Sequence, residues 1–537
     1  MPRIVEITLT PKEAADEAAC IAAAVRAAGI RSVDEVAFCR IVRRSIDARR
    51  HTNGIPGVRV NLAVEIWSDT EGKPDEVRFE WGDVSHVPPS REVLVVGAGP
   101  AGLFAALELI EQGFRPIVLE RGKEVSQRKA DIAAIQRNEP VDPDSNYAFG
   151  EGGAGTFSDG KLYTRSKKRG NFRKTLAILH FHGADESILY DARPHIGTDR
   201  LPRVIAAMRE TILRSGGKIR FGSRVTDLIL SEDKTRIRGV ATQDGERIEA
   251  PAVILATGHS ARDIYELLYR KEVLIEAKPF AMGVRVEHRQ ERIDRIQYKT
   301  LDPALPAATY SLVAQVPTGQ GKEALRGVYS FCMCPGGFIV PALTEAGECV
   351  VNGMSPSGRN NVFANAGIVT QILPADYADL VPHFGPLAGM RFQQQLEKMG
   401  YARGGGSQVA PAQRLDAFVK GFRCGETLPT SYHPGVVASD MDKWLPKFIA
   451  QALRAGFREF DKRMHGFLTA EAQVIGIESR TSSPVRIPRL RESGMHPQVA
   501  GLFPAGEGAG YAGGIVSAAV DGAAAAQAAA EFIRTKR

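Results

Sequence analysis

Cysteine is scarce: Cys20, Cys39, Cys332, Cys334, Cys349 and Cys424 are the only six in 537 positions. They are too few and too unevenly spread for the disulfide framework of a secreted scaffold, and a reducing, cytoplasmic setting is expected. The opening residues MPRIVEITLT alternate apolar and polar side chains, without the continuous apolar core and small-residue cleavage site of an export signal. Long apolar runs are also missing. Val93 to Ile110 comes nearest to a membrane span, but Gly97, Gly99, Pro100, Gly102 and Glu108 interrupt it, and it divides better into strand, turn and helix. A large excess of one charge sign is absent too. The 69 basic residues exceed the 62 acidic ones by only 7, which favours anionic ligands without indicating a nucleic-acid binder. With 44% hydrophobic and 24% charged residues the chain has an ordinary globular composition, and its length suggests several structural units.

Residues 1–86 read as a separate module. An alternating strand, Ile4 to Leu9, leads into a helix announced by Thr10-Pro11-Lys12-Glu13, a capping box with proline at the first helical position. The helix is expected to run to Gly29, followed by strands over Glu35 to Ile46 and Val58 to Trp67, which makes a ferredoxin-like βαββ unit. Trp81 to Arg91, with Pro88-Pro89, is the expected connection, its linker core at 87–91. From Glu92 short apolar strands alternate with amphipathic helices, as at Arg200 to Ser215, Lys218 to Phe221 and Ala252 to Ala256, the pattern of an α/β fold. Over 265–470 strands come first (Met282 to Glu287, Gly327 to Cys334, Gly337 to Leu343, Cys349 to Met354), then helices near Phe392 to Met399 and Lys447 to Phe460. This is read as a mixed α+β substrate domain inserted into the α/β unit, which spans 92–264 and resumes over 471–537. No internal repeat is evident, and the Ala-rich stretch Ala518 to Ala530 is expected to be a terminal helix.

The sharpest motif is Val93-Leu94-Val95-Val96-Gly97-Ala98-Gly99-Pro100-Ala101-Gly102, a strand running through Gly-x-Gly-x-x-Gly into a helix. Gly97 permits the tight turn, Gly99 lets the backbone approach a pyrophosphate, and Gly102 lets helix and strand pack closely. The next strand, Pro116 to Leu119, ends in Glu120, placed to accept both hydroxyls of an adenosine ribose. This Rossmann fingerprint serves NAD and FAD alike. No second copy occurs in a strand-to-helix setting, and Gly404-Gly405-Gly406 has no flanking strand, so a dedicated pyridine-nucleotide domain is not expected.

Ala256-Thr257-Gly258 and the stretch Gly501 to Gly510, LFPAGEGA between two glycines, resemble the second and third FAD-contact segments of the glutathione-reductase superfamily. Phe149 to Leu162 (FGEGGAGTFSDGKL) and Arg480 to Arg486 (RTSSPVR) resemble a narrower bacterial and plastid family of uncharacterised FAD-dependent dehydrogenases, over nearly the whole chain. The resemblance implies non-covalent FAD, with Gly97, Gly99, Pro100, Ala101 and Gly102 at the pyrophosphate and Glu120 at the ribose. It implies Arg121 and Arg128 toward the adenosine, Val225 meeting the adenine through its backbone, and Thr257 and Gly258 in the second contact segment. Gly506 and Glu507 would face the ribityl chain, and Gly513, Gly514 and Ile515 would open a helix toward flavin N1 and O2. The loop Gly153, Ala154, Gly155 and Thr156 would lie beside the ring.

Catalytic residues are less legible. Cys332 and Cys334 form a Cys-x-Cys pair that could exchange electrons with a flavin. In a regular strand, however, positions two apart lie about 6 to 7 Å apart, at the limit for a disulfide, and two buried strand cysteines are the preferred reading. His195, His259 and His433 occupy turn-like sequence where a proton donor could sit, but no motif selects one. No metal site is expected. The basic run Arg165-Ser166-Lys167-Lys168-Arg169, continued by Arg173 and Lys174, is either a solvated face or a rim for an anionic substrate or NADPH phosphates. Arg40, Arg43, Arg44, Arg49 and Arg50 form a second basic cluster that matches no RNA-reading motif. The resulting expectation is an FAD-dependent oxidoreductase passing hydride through flavin N5 to or from a small, anionic substrate, with NAD(P)H visiting the cleft transiently. Alternatives are an RNA-modifying or RNA-binding flavoprotein, a flavin monooxygenase, and a non-enzymatic redox sensor that meets a protein partner through the N-terminal module.

Overall fold

The computed structural model describes residues 2–49, 57–68, 71–74, 78–163, 171–317 and 325–535. The basic run from Arg165 to Arg169, and Arg50, lie outside the described residues.

The N-terminal strands Arg3–Leu9, Val36–Asp47 and Arg59–Ser68 pair antiparallel, with Arg59–Ser68 in the middle. Their alternation buries Ile7, Leu9, Val60, Leu62, Val64 and Ile66 against Cys20 and Ala24. The single helix expected from Thr10 to Gly29 is two helices, Pro11–Ala14 and Glu17–Ala27. The capping box at Thr10 forms, but Asp16 is extended and accepts a hydrogen bond from Ala18 N–H at 3.0 Å, a second N-cap that restarts the helix. This sheet is tied to the body at Arg44, whose backbone exchanges hydrogen bonds with Tyr190 and Ala192 and whose side chain meets Asp191 at 2.9 Å. The expected linker is also packed down: Val84 is buried, its N–H bonds the carbonyl of Ser215 at 2.8 Å, and Trp81 stacks on Phe79 and meets His182.

A five-stranded parallel sheet has the order Leu502–Pro504, Val253–Leu255, Glu92–Val96, Arg115–Leu119, Lys218–Arg220. Its strands other than the edge strand Lys218–Arg220 are mostly apolar because both faces are covered. The helices Pro100–Glu111 and Ile515–Thr535 pack together on one face, close enough that a Cβ on Gly522 would stand 1.9 Å from the carbonyl oxygen of Ala101. On the other face lies the meander Val225–Leu230, Ile237–Thr242, Arg247–Glu249.

The second large sheet has seven strands in the order Val313–Pro317, Leu325–Cys334, Phe363–Ile372, Phe280–Arg289, Gln473–Glu478, Ala410–Arg414, Val436–Ala438, antiparallel except for the last pair. Helix Lys447–Arg463 covers it through Ile449, Leu453, Phe457 and Phe460. The strand Phe363–Ile372, unread in the sequence, sits near its centre. Gln473–Glu478, just past the expected insert boundary, pairs with Phe280–Arg289 in this sheet. No helix among the described residues is long and apolar enough to cross a membrane.

Candidate functional site

One cavity of about 340 Å³ opens between the carboxyl ends of the parallel strands and the seven-stranded sheet. Its position follows from the fold, since open parallel sheets leave a crevice at their carboxyl ends.

The first wall is backbone. Gly97 has φ +103° and a Cβ there would fall 2.5 Å from the carbonyl oxygen of Ala256, while a Cβ on Gly102 would fall 1.9 Å from that of Gly97. Gly99 differs: its Cβ would meet only Gly153 Cα, at 3.8 Å, so its missing side chain serves the cavity and not the packing. Gly99 also caps helix Pro100–Glu111 without a side-chain acceptor, leaving first-turn N–H groups and the positive helix end facing the space. Gly258, Gly513 and Gly514 have nothing within 4 Å of a built Cβ. Glu120 ends the second strand with its carboxylate accepting from Ala98 N–H at 2.8 Å and from Gly122 and Gly150 N–H at 2.9 Å. Three backbone donors pin it in place at the cavity edge.

Of the residues named from the sequence, Gly97, Gly99, Pro100, Ala101, Glu120, Arg121, Gly153, Ala154, Gly155, Val225, Thr257, Gly258, Gly506, Glu507, Gly513, Gly514 and Ile515 line this cavity, and so do Cys332 and His259. Gly102, Arg128, Thr156, Cys334, His195 and His433 do not. Arg128, expected toward the adenosine, is fully buried, its guanidinium donating to the carbonyls of Asn146, Glu151, Gly153 and Tyr147 at 2.8 to 3.0 Å. Burial holds its pKa down to about 10. It therefore shapes the glycine loop from behind. Thr156 caps the same loop, donating to the carbonyl of Glu151 at 2.9 Å. Arg121 does reach the cavity, over the Phe149 ring at 4.2 Å and paired with Asp144 and Asp263. His195 bonds the carbonyl of Ser357 and His433 is exposed, so neither faces the cavity.

The opposite wall is made of charged and reactive side chains. Arg480, from the RTSSPVR stretch, joins Arg262, Glu348 and Glu397 in a buried ion cluster with contacts of 2.8 to 3.1 Å. Burial and the neighbouring Glu397 raise Glu348 to about 7, whereas both guanidinium groups overcome the burial of Glu397 and hold it near 2. Nη1 of Arg480 has no hydrogen-bond partner among the described residues. His259 bridges the two walls, Nδ1 to Glu507 at 3.0 Å and Nε2 to the carbonyl of Arg480 at 3.2 Å.

Cys332 is where the regular-strand expectation fails. Register shifts between Phe331, opposite Gly367, and Cys334, opposite Asn365, so one extra residue bulges out, and Cys332 takes φ +44°. The two sulfurs lie 4.0 Å apart. Lys161 Nζ reaches within 4.0 Å of Cys332 Sγ and bonds the carbonyl of Met333, while Arg285 donates to the carbonyl of Cys332 at 3.3 Å. Asp159, buried and ion-paired with Arg359 at 2.9 Å, lies 3.9 Å from Lys161. The hydrogen bond from Cys334 lowers the Cys332 thiol, against its burial and helped by Lys161 and Arg285, to about 5; Cys334 moves up. Lys161, Asp159, Asn352 and Arg480 were missed as site residues. Asp159, Lys161 and Arg480 stood inside the two family-like stretches, which was the available signal. Among the described residues of the two basic runs, Lys174 is held by Glu108 and Glu111, and Arg40, Arg43, Arg44 and Arg49 each pair with a carboxylate.

Family models match four stretches: an FAD binding domain over residues 90–136, an FAD dependent oxidoreductase model over 197–328, an FAD-dependent protein C-terminal domain-like model over 279–481, and a domain of unknown function over 1–67. An uncharacterised protein of Clostridium beijerinckii is 40% identical over 91% of this chain and 92% of its own length. Thiamine thiazole synthase of Methanococcus maripaludis is 29% identical over 36% of this chain and 64% of that one. Among solved structures, a geranylgeranyl bacteriochlorophyll reductase-like protein from Thermoplasma acidophilum has a TM-score of 0.34 at 15% identity, covering 83% of this chain and 79% of that one.

Proposed function

The chain belongs to a family of uncharacterised FAD-dependent oxidoreductases, and from that premise we propose that it passes hydride through flavin N5 to or from a small anionic substrate. The observation that carries this reading is that one cavity has a glycine cradle on one side and Cys332, Asn352, Arg480 and Thr481 on the other. FAD supplies the hydride chemistry when bound. The chain's residues bind, orient and shield. The free N–H groups ahead of helix Pro100–Glu111 suit a pyrophosphate and the pinned Glu120 carboxylate suits ribose hydroxyls. Gly513 and Gly514 open the helix Ile515–Thr535 toward the same space, where its positive end favours electron density on the flavin. Lys161 gives the substrate side positive charge, because the nearby Asp159 is already taken by Arg359, and Nη1 of Arg480 adds a hydrogen-bond donor without a partner among the described residues. The inserted unit expected over 265–470 would then act as the cover that excludes water.

Purified protein should be yellow, release FAD on denaturation, and bleach anaerobically with NADPH, NADH or one member of a panel of carboxylate metabolites. A colourless protein that cannot be reconstituted would sink the reading. Incorporation of labelled oxygen into a substrate would turn it toward a monooxygenase.

A further inference from the structure

We propose that Cys332 and Cys334 are a redox-active dithiol that exchanges two electrons with the flavin by opening and closing an intrachain disulfide. The proposal rests on the reading that FAD occupies this cavity, and goes beyond it by giving the second sheet a chemical role.

The geometry comes from the bulge. An unbroken strand would leave the two side chains on one face but apart; the extra residue and the left-handed backbone at Cys332 bring the sulfurs to 4.0 Å. Only about 2 Å of closure separates them from a bonded pair. Cys332 is the partly exposed member and lines the cavity, whereas Cys334 is buried behind it, the arrangement of an attacking sulfur with a resolving partner. The chain that follows the glycine loop leads to the pair. A Cβ built on Gly155 would stand 3.0 Å from the side chain of Ile515, at the start of the last helix, and six residues further on Lys161 reaches Cys332. Cys332 and Gly513 to Ile515 line the same cavity.

The surroundings favour a thiolate at Cys332. The ammonium of Lys161 stands at 4.0 Å, and the guanidinium of Arg285, itself tied to Glu478 at 2.7 Å, holds the Cys332 carbonyl. The step balances without any further reagent. The Cys332 thiolate and Cys334 thiol join, the S–H bond of Cys334 breaks, and its proton leaves with the electron pair for the oxidised flavin. The flavin becomes its singly protonated, anionic reduced form, so one negative charge stands on each side. The reverse reopens the disulfide.

The holoenzyme tests this by anaerobic reductive titration and by alkylation. After mild oxidation with diamide, wild type should take up four electrons per FAD, and Cys332→Ser or Cys334→Ser only two. Before reduction the peptide carrying both cysteines should resist iodoacetamide and weigh two hydrogens less. In the reduced protein Cys332 should alkylate at least tenfold faster than Cys334 at pH 7; Lys161→Met should shift its pH profile upward and Lys161→Arg should restore it. Wild type that takes two electrons while both cysteines of the oxidised protein alkylate freely would overturn the proposal. A preparation without flavin would overturn the cofactor reading and the exchange with it, while the alkylation arm still reports whether the disulfide forms.

Discussion

The two walls of the cavity are built from different material. On the glycine side almost every contact is backbone: Gly97, which admits no Cβ, Gly99, Gly258, Gly513 and Gly514, which leave open space, helix ends, and one carboxylate pinned by three N–H groups. On the facing side, charged side chains from two helices and two connecting segments are buried together in one cluster. The first wall fails when atoms are added and the second when a charge is removed, because close backbone contacts have no room to yield and buried ions have no water to replace a lost partner.

The largest effect should come from the second wall. Glu397→Gln leaves Arg262 and Arg480 short of a negative charge and is expected to cost about 3 kcal/mol or more, read by urea unfolding. Glu348→Gln should cost much less near pH 6, because Glu348 is raised to about 7 and already carries a proton there. The pH dependence has a definite sign. A carboxyl with its folded pKa above the unfolded value near 4.5 binds more protons folded than unfolded. Its contribution is therefore fully present below about 4.5 and is lost as pH rises toward 7. Wild type should lose stability over that window, and Glu348→Gln should flatten the slope; an unchanged slope would break the assignment.

Two glycines separate packing from binding on the first wall. Gly102→Ala drives a methyl into the Gly97 carbonyl and should cost about 2 to 3 kcal/mol, seen as an earlier thermal transition. Gly99→Val meets little protein, so stability should change by less than about 1 kcal/mol while FAD retention, followed by absorbance after gel filtration, falls at least tenfold. If Gly99→Val unfolds the protein, the cradle is a packing feature.

The smallest effect is expected at the N-terminal sheet. The Arg44 and Asp191 side chains are partly exposed, so Arg44→Ala should cost about 0.5 kcal/mol after allowing for solvent screening, leaving flavin content unchanged. Filter binding with bulk tRNA should show no affinity sensitive to this substitution; a loss of tight binding would move the basic cluster from ion pairing to recognition.

The cradle was legible because it is local. Strand, glycine turn, helix and acid occupy Glu92 to Glu120, and the order of these steps is dictated by φ/ψ limits and local hydrogen bonding. Just beyond that segment Arg128 was misplaced, since nothing in the sequence says that its guanidinium turns back to carbonyls of Asn146 to Gly153. The facing wall was not legible. Lys161 and Cys332 are 171 residues apart, and the Arg262, Glu348, Glu397 and Arg480 cluster joins four separate elements. The alternation around Cys332 predicts a regular strand, but the bulge arises from pairing with Phe363–Ile372, a partner that alternation alone does not reveal. What the sequence determined by itself was the strand-turn-helix that suits a dinucleotide. Tertiary structure alone decided which ions and sulfurs meet it, because Coulomb and thiol contacts depend on distances of a few ångströms between residues that only long-range sheet register brings together.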